Sequence, residues 1–235
     1  MQFQPSLNVL NMQDQKNNTQ LASEGINQDW FTYATEHSDI VPEILIELEK
    51  ETYQKVLQPR MICDRLQGRF LSLISNLVKA NTIVEIGTYT GYSTLSLAEG
   101  LTDNGKIHTI DCNEELVNIQ ERFFKKSKYS HKIKRHLGKA IDVLTKIEGP
   151  YDLVFIDADK ENYIVYFENV FPKMRKGGLI ISDNVMWSGK VLSEANPKDS
   201  KTIAIKRFNK KLMMDHRIQT TLLPLRDGLT LSRIL

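Results

Sequence analysis

The spacing of apolar positions changes character twice along the chain. Residues 1–28 carry almost no period and are rich in Gln and Asn, which predicts a polar N-terminal arm ahead of one domain over residues 29–235. Two stretches with helical spacing follow. Ile44, Leu45, Leu48 and Val56 mark the first, with Pro42 near its start. Phe70, Leu71, Ile74, Leu77 and Val78 line one side of the second, from about Asp64 to Lys79. From Thr82 onward, short apolar runs alternate with amphipathic stretches. Strands are predicted at Thr82–Ile86, Lys106–Ile110, Lys132–Leu137, Tyr151–Ile156 and Gly178–Ser182. Helices are predicted from about Tyr92, over Glu114–Lys126 and Ala140–Ile147, in an aromatic-rich segment ending near Phe171, and over Thr202–Met214. Arg217–Leu223 and Leu229–Ile234 read as two last strands, joined through Pro224 and Asp227–Gly228.

Repeated strand–helix units imply a mostly parallel sheet with helices on both faces. The last connection is too short for a parallel crossover, so the terminal pair should be antiparallel. In such a sheet ligands bind beyond the C-terminal strand ends, and the residues just after each strand are where chemistry is to be sought. Composition narrows the field. The chain has 235 residues, 31 Lys and Arg against 29 Asp and Glu, and a net charge of +2, which gives no electrostatic case for a nucleic acid or a membrane surface. Cys63 and Cys112 lie far apart with no metal-ligand spacing and read as reduced thiols. No apolar run approaches a membrane span and no signal peptide is visible, so a cytoplasmic location is expected.

The first strand runs into Val84–Glu85–Ile86–Gly87–Thr88–Tyr89–Thr90–Gly91–Tyr92–Ser93. The glycines permit a tight turn and close approach of a ligand to the backbone. The helix that follows offers free N–H groups to a carboxylate or phosphate, and Ser93 adds a hydroxyl. Asp111 ends the next strand, where a carboxylate can accept both hydroxyls of a ribose; a helix cap or loop carboxylate is the plain alternative. The closely spaced first glycine pair of the dinucleotide fingerprint is missing. The Gly87–Gly91 spacing, with Glu85 ahead of it, better suits a nucleoside with an amino-acid tail.

A second constellation follows the later strands. Tyr151–Ile156 runs into Asp157–Ala158–Asp159–Lys160, and Gly178–Ser182 into Asp183–Asn184. On neighbouring strands, Asp157, Asp183 and Asn184 would converge as a hard oxygen set suited to Mg²⁺ or Ca²⁺, with no His or Cys to favour zinc. Singly, each Asp could be an N-cap. Lys160 is the candidate for proton transfer, since a nearby dication lowers the proton affinity of both an amine and a phenol. A solvated first-turn lysine is the alternative. Asp159 reads as structural, as a cap.

With these segments in order, the chain resembles the metal-dependent O-methyltransferases of the caffeoyl-coenzyme A and catechol type, especially their small bacterial members. The resemblance is carried by Val84–Leu95, Ile107–Asp111, Tyr151–Lys160, Gly177–Trp187 and Leu223–Arg233, with weaker similarity at His37–Ser38 and Pro42–Leu45. It implies a Rossmann-like class I methyltransferase fold with a seven-stranded sheet and extra N-terminal helices. Glu85, Gly87, Thr88, Ser93, Asp111, Ala140 and Asp157 then match the S-adenosylmethionine positions. Asp157, Asp183 and Asn184 match the ligands of a divalent metal, Mg²⁺ first and Ca²⁺ or Mn²⁺ after it. Lys160 matches the general base, working beside Asp157. Trp187 falls where relatives place an aromatic wall beside the substrate, though a core tryptophan explains it equally well. A homodimer is implied as well. The chain departs from the pattern at Met61–Ile62–Cys63, where relatives carry small polar residues and Cys63 replaces a hydroxyl that touches the cofactor. The plant enzymes' N-terminal substrate-binding lysine has no counterpart. Gly189–Ser200 reads as a substrate loop.

The expected activity is methyl transfer to a hydroxyl of a small catechol-like aromatic. A first alternative is O-methylation of a hydroxylated nucleoside in transfer RNA, for which Lys125, Lys126, Lys128, Lys132, Lys134 and Arg135 would supply the cations. A non-enzymatic nucleoside-binding protein would not need Asp157, Lys160, Asp183 and Asn184 together. A nicotinamide dehydrogenase is disfavoured by the glycine spacing.

Overall fold

The computed structural model describes residues 28–235. The predicted polar arm, apart from Gln28, lies outside the described residues. Gln28 itself opens a helix, α1 (Gln28–Glu36), that the sequence pattern did not announce. Trp30 and Tyr33 stay exposed on it while Phe31, Ala34 and Thr35 are half-buried, too narrow a stripe to read as a period. Then come α2 (Glu43–Lys55), α3 (Arg65–Val78), β1 (Thr82–Ile86), α4 (Tyr92–Glu99), β2 (Lys106–Asp111), α5 (Val117–Lys126), β3 (Ile133–Leu137), α6 (Ala140–Leu144), β4 (Tyr151–Ile156), α7 (Tyr163–Val170), β5 (Met174–Ser182), α8 (Ser200–Met214), β6 (Ile218–Leu223) and β7 (Leu229–Ile234).

All seven strands form one sheet in the order β3-β2-β1-β4-β5-β7-β6. β1 to β5 pair in parallel, and β7 inserts antiparallel between β5 and β6, as the short last connection requires. Alternation along the strands feeds two cores. Val84, Ile86, Val154, Ile156 and Ile180 face α6, α7 and α8 on one side. Ile83, Ile107, Leu153, Phe155 and Ile181 meet Leu71 of α3 and Leu97 of α4 on the other. A third cluster joins α2, Tyr92 and α5 through Leu45, Leu48, Ile119 and Phe123. β1 and β4 are buried on both faces, so apolar residues stand side by side in them instead of alternating, as at Ile83–Val84 and Leu153–Ile156.

Four expectations need correction. Leu77 is 67% exposed, whereas Gly68, Leu71 and Ser75 form the buried face of α3. Small residues let α3 lie close on α4, and the Ser75 hydroxyl donates to Leu97 O at 2.9 Å. β5 begins at Met174, four residues before Gly178. Its first half is polar because Arg175 donates to Asp152 Oδ1 (2.5 Å) and to Val78 O (3.1 Å), so ionic contacts replace the apolar signal. The predicted helix over Glu114–Lys126 is a short 3₁₀ turn followed by α5, and that over Ala140–Ile147 ends at Leu144.

Candidate active site

The C-terminal ends of β1, β2, β4 and β5 open into one cavity of about 970 Å³, at the upper end of what ligand sites occupy. Gly87, Thr88, Ser93, Asp111, Ala140, Asp157, Lys160, Asp183, Asn184, Trp187 and Cys63 all line it. Glu85 does not: it is fully buried below the wall. At Gly87, with φ +102°, a Cβ would stand 1.9 Å from Asp157 O. The glycine expected to admit a ligand is thus required first by the β4 backbone. Its absent side chain brings the β1 turn against the acidic cluster. Gly91, at φ +96°, is likewise required by the Phe124 ring, 2.5 Å from the position of a Cβ.

At one end Asp111 organises the β1 turn. Its Oδ2 accepts from Thr88 N (3.1 Å) and Tyr89 N (2.7 Å), and its Oδ1 from Asn113 N (2.8 Å). It is therefore a loop-holding carboxylate, and about one acceptor position, on Oδ1, remains for a further donor in the cavity. Behind it, Glu85 Oε2 accepts from the Thr94 and Thr109 hydroxyls, while Oε1 has no partner among the described residues. Burial pushes the Glu85 carboxyl up to about 7, against the opposite pull of the Ser93, Thr109 and Thr94 hydroxyls.

At the other end Asp157, Asp183 and Asn184 come together. β4 and β5 are neighbours in register, Ile156 opposite Ser182, so the residue after each strand falls at the same level. Asn184 adopts a left-handed backbone (φ +56°), which turns the chain back over the cluster. Lys160, 6% exposed, donates through Nζ to Asp157 Oδ1 (3.0 Å), Asn184 Oδ1 (2.8 Å) and Tyr163 Oη (2.6 Å). Tyr163, fully buried, donates in turn to Asp183 O at 3.0 Å. Asp183 is 3% exposed; burial first and the Asp157 charge second push its carboxyl well above the usual range. The sequence reading missed Tyr163, Gln67 and Arg226. Gln67 Nε2 donates to Asp183 Oδ2 (2.6 Å), and Arg226 Nη1 to Gln67 Oε1 (2.8 Å). Gln67 stands four residues before Leu71, so a polar residue on a buried helical face was the available signal.

Trp187 both lines the cavity and packs on the core, with its ring centre 5.7 Å from Lys160 Nζ. Cys63 is in the wall, its thiol pushed well up by burial, and its Sγ is turned toward Asp64 O at 3.6 Å. Asp159 is structural but caps no helix: its oxygens accept from Tyr166 Oη and Asn162 Nδ2. The cation run proposed for RNA is partly engaged internally. Lys126 pairs with Glu47, Arg135 with Glu121 (2.7 Å), and Lys132 is buried on Leu101 O and Thr102 O. No helix among the described residues is long and apolar enough to cross a membrane.

Known proteins share this fold. The O-methyltransferase family profile matches residues 35–235. Caffeoyl-CoA O-methyltransferase 5 of Nicotiana tabacum is 36% identical over 203 residues, covering 82% of this chain and 84% of that protein. The O-methyltransferase of Bacillus cereus, solved with SAH, superposes with a TM-score of 0.80 at 29% identity, over 87% of this chain and 96% of that one. TomG of Streptomyces achromogenes, solved with SAM, gives 0.80 at 26% identity, over 86% and 94%. The chain therefore belongs to the O-methyltransferase family, a group of S-adenosylmethionine-dependent enzymes, and is itself an O-methyltransferase.

Proposed function

We propose that the protein transfers the methyl group of S-adenosylmethionine to one of two vicinal hydroxyls on a small aromatic acceptor, with a divalent cation at Asp157, Asp183 and Asn184. One observation carries this reading: the two carboxylates, the carboxamide and Lys160 meet at one end of a cavity whose other end is Asp111 and Ala140. The donor set fits a hard cation, being all oxygen. A positive charge is already accommodated there, since the Lys160 ammonium sits between Asp157 Oδ1 and Asn184 Oδ1. Mg²⁺ fits this set first, with Mn²⁺ and Ca²⁺ as substitutes. The free capacity of Asp111 at the cavity wall fits a cofactor carrying a ribose, and the buried Glu85 behind it holds the turn through Thr94 and Thr109. Gly87, Thr88, Ser93, Ala140 and Cys63 complete the wall on that side.

When bound, the cation supplies Lewis-acid stabilisation of an acceptor oxyanion, worth several kcal/mol. The chain's residues do the rest. Asp111 and the β1 turn fix the nucleoside end of the cavity, while Trp187 walls the acceptor side. This alignment of methyl donor and acceptor can supply roughly 7–11 kcal/mol of the barrier. Once the cation takes the ammonium's place between Asp157 and Asn184, Lys160 would lose one proton to solvent, and its Nζ, as the neutral amine, would accept the acceptor's hydroxyl proton; Tyr163 Oη holds that nitrogen in place through its own bond to the Asp183 carbonyl. A homodimer belongs to the same reading, and sedimentation should give twice the 27.0 kDa chain mass.

The test is mass spectrometry of products from a panel of catechols, matched single-hydroxyl analogues and bulk RNA. Mono-methylated catechols, with little product from the single-hydroxyl set, are expected. Methylation confined to RNA would replace this reading with transfer-RNA modification.

A further inference from the structure

We propose that Gln67 and Arg226 are a positioning pair for Asp183, and that Arg226 works by fixing which way round the Gln67 amide lies. The inference rests on the metal-dependent reading above. Asp183 Oδ1 accepts from Asn184 N and Oδ2 from Gln67 Nε2, both at 2.6 Å. Gln67 is fully buried, so no water competes for its amide. The two ends of an amide have nearly the same shape, and only their partners decide the orientation. A guanidinium has five donors and no acceptor. Facing Arg226 Nη1 at 2.8 Å, Gln67 must present its oxygen there and its NH₂ to Asp183. The reversed amide would set oxygen against carboxylate and NH₂ against guanidinium, two repulsive contacts without solvent to relieve them.

Arg226 is itself held on two sides. Its Nε pairs with Asp64 Oδ2 at 3.0 Å and its Nη1 also donates to Ile62 O at 3.1 Å. The other oxygen of Asp64 caps α3 by accepting from Gln67 N at 2.8 Å. Asp64 therefore anchors both members of the pair. Arg226 sits in the β6–β7 turn with φ +51°, a conformation that glycine adopts without strain. Such a residue persists where its surroundings over-determine it, and sites of this kind cluster at functional positions. The neutral amide has a further consequence. It passes orientation to Asp183 while keeping the Arg226 charge one residue away from the oxygens that receive a cation.

The test uses the full chain and Mn²⁺ alone as probe, with free Mn²⁺ read by electron paramagnetic resonance. Arg226→Gly suits the backbone and should keep its fold. Gln67→Leu removes the donor. Partners of metal-ligating groups are typically worth about 10–100-fold in metal affinity. Each variant should weaken Mn²⁺ by about 10-fold or more, within that range. S-adenosylhomocysteine affinity by calorimetry should stay unchanged, which a merely structural loss would not allow. The double variant should bind no more weakly than Gln67→Leu alone, because Arg226 acts only through the amide. Wild-type affinity in both single variants, or losses that multiply in the double variant, would overturn the pair and leave the metal site standing. A wild-type protein that takes up no more Mn²⁺ than Asp183→Ala would instead remove the metal reading, and the pair with it.

Discussion

At the scale of single residues, burial decides what each polar group can do. Lys160 makes three donations inside the protein, so its ammonium is paired rather than solvated. A group that moves the acceptor's proton contributes typically 10²–10⁴-fold. Lys160→Ala should therefore lower kcat by about 10²-fold or more, with S-adenosylhomocysteine affinity unchanged; an unaltered kcat removes Lys160 from the reaction. Glu85 yields a prediction on stability. Its folded value of about 7 lies above the ordinary 4.5, so between these limits the folded chain binds more protons than the unfolded one. The stability it contributes is present in full below about 4.5 and is lost as pH rises to about 7. At about 1.4 kcal/mol per pH unit, the loss is roughly 3 kcal/mol. Denaturant melts of wild type and Glu85→Gln should diverge by this order across that window, the variant showing the flatter profile; parallel profiles would contradict the assignment. The acids themselves were legible in the sequence because each follows an apolar strand directly. The partners that orient them were not. Gln67 and Arg226 come from a helix and a hairpin far away in the chain, and a single sequence does not disclose such contacts.

At the scale of elements, the site is a consequence of strand order. β1 lies between β2 and β4, and β4 beside β5, so four strand ends deliver their next residues to one cavity. Gly87 is where the two halves touch. Gly87→Ala would drive a Cβ to 1.9 Å from Asp157 O in a left-handed backbone. Strain of that kind costs about 1–3 kcal/mol before the overlap is counted. The variant should melt several degrees lower and lose affinity for both S-adenosylhomocysteine and Mn²⁺; a loss confined to one ligand would show that the halves are independent. The strands with apolar residues side by side were readable because both faces are buried. The beginning of β5 was not, since Arg175 and Asp152 satisfy each other there. The α1 helix was missed because half of its apolar residues face solvent, and Leu77 was misplaced because small residues, not the largest, set the packing face of α3.

For the whole molecule, the chemistry requires two ligand ends in one enclosure. Asp111 holds the turn at one end, and at the other the acidic cluster carries more negative charge than the Lys160 ammonium offsets. The overall charge of +2 says nothing of this, because it sums cations and anions over the whole chain. Fold class, the antiparallel terminal strand pair and the position of the cavity follow from the alternation of periods and the short last connection. The stretch Gly189–Ser200, read from the sequence as a substrate loop, contributes no residue to the cavity wall, which passes from Trp187 to Lys201. The most direct test of the central claim is the rate of methyl transfer to a catechol after exhaustive chelation and then after Mg²⁺ is restored. Turnover should be lost with the chelator, return with Mg²⁺, and be absent from Asp183→Ala under both conditions. Full turnover in the chelated wild type would contradict the claim.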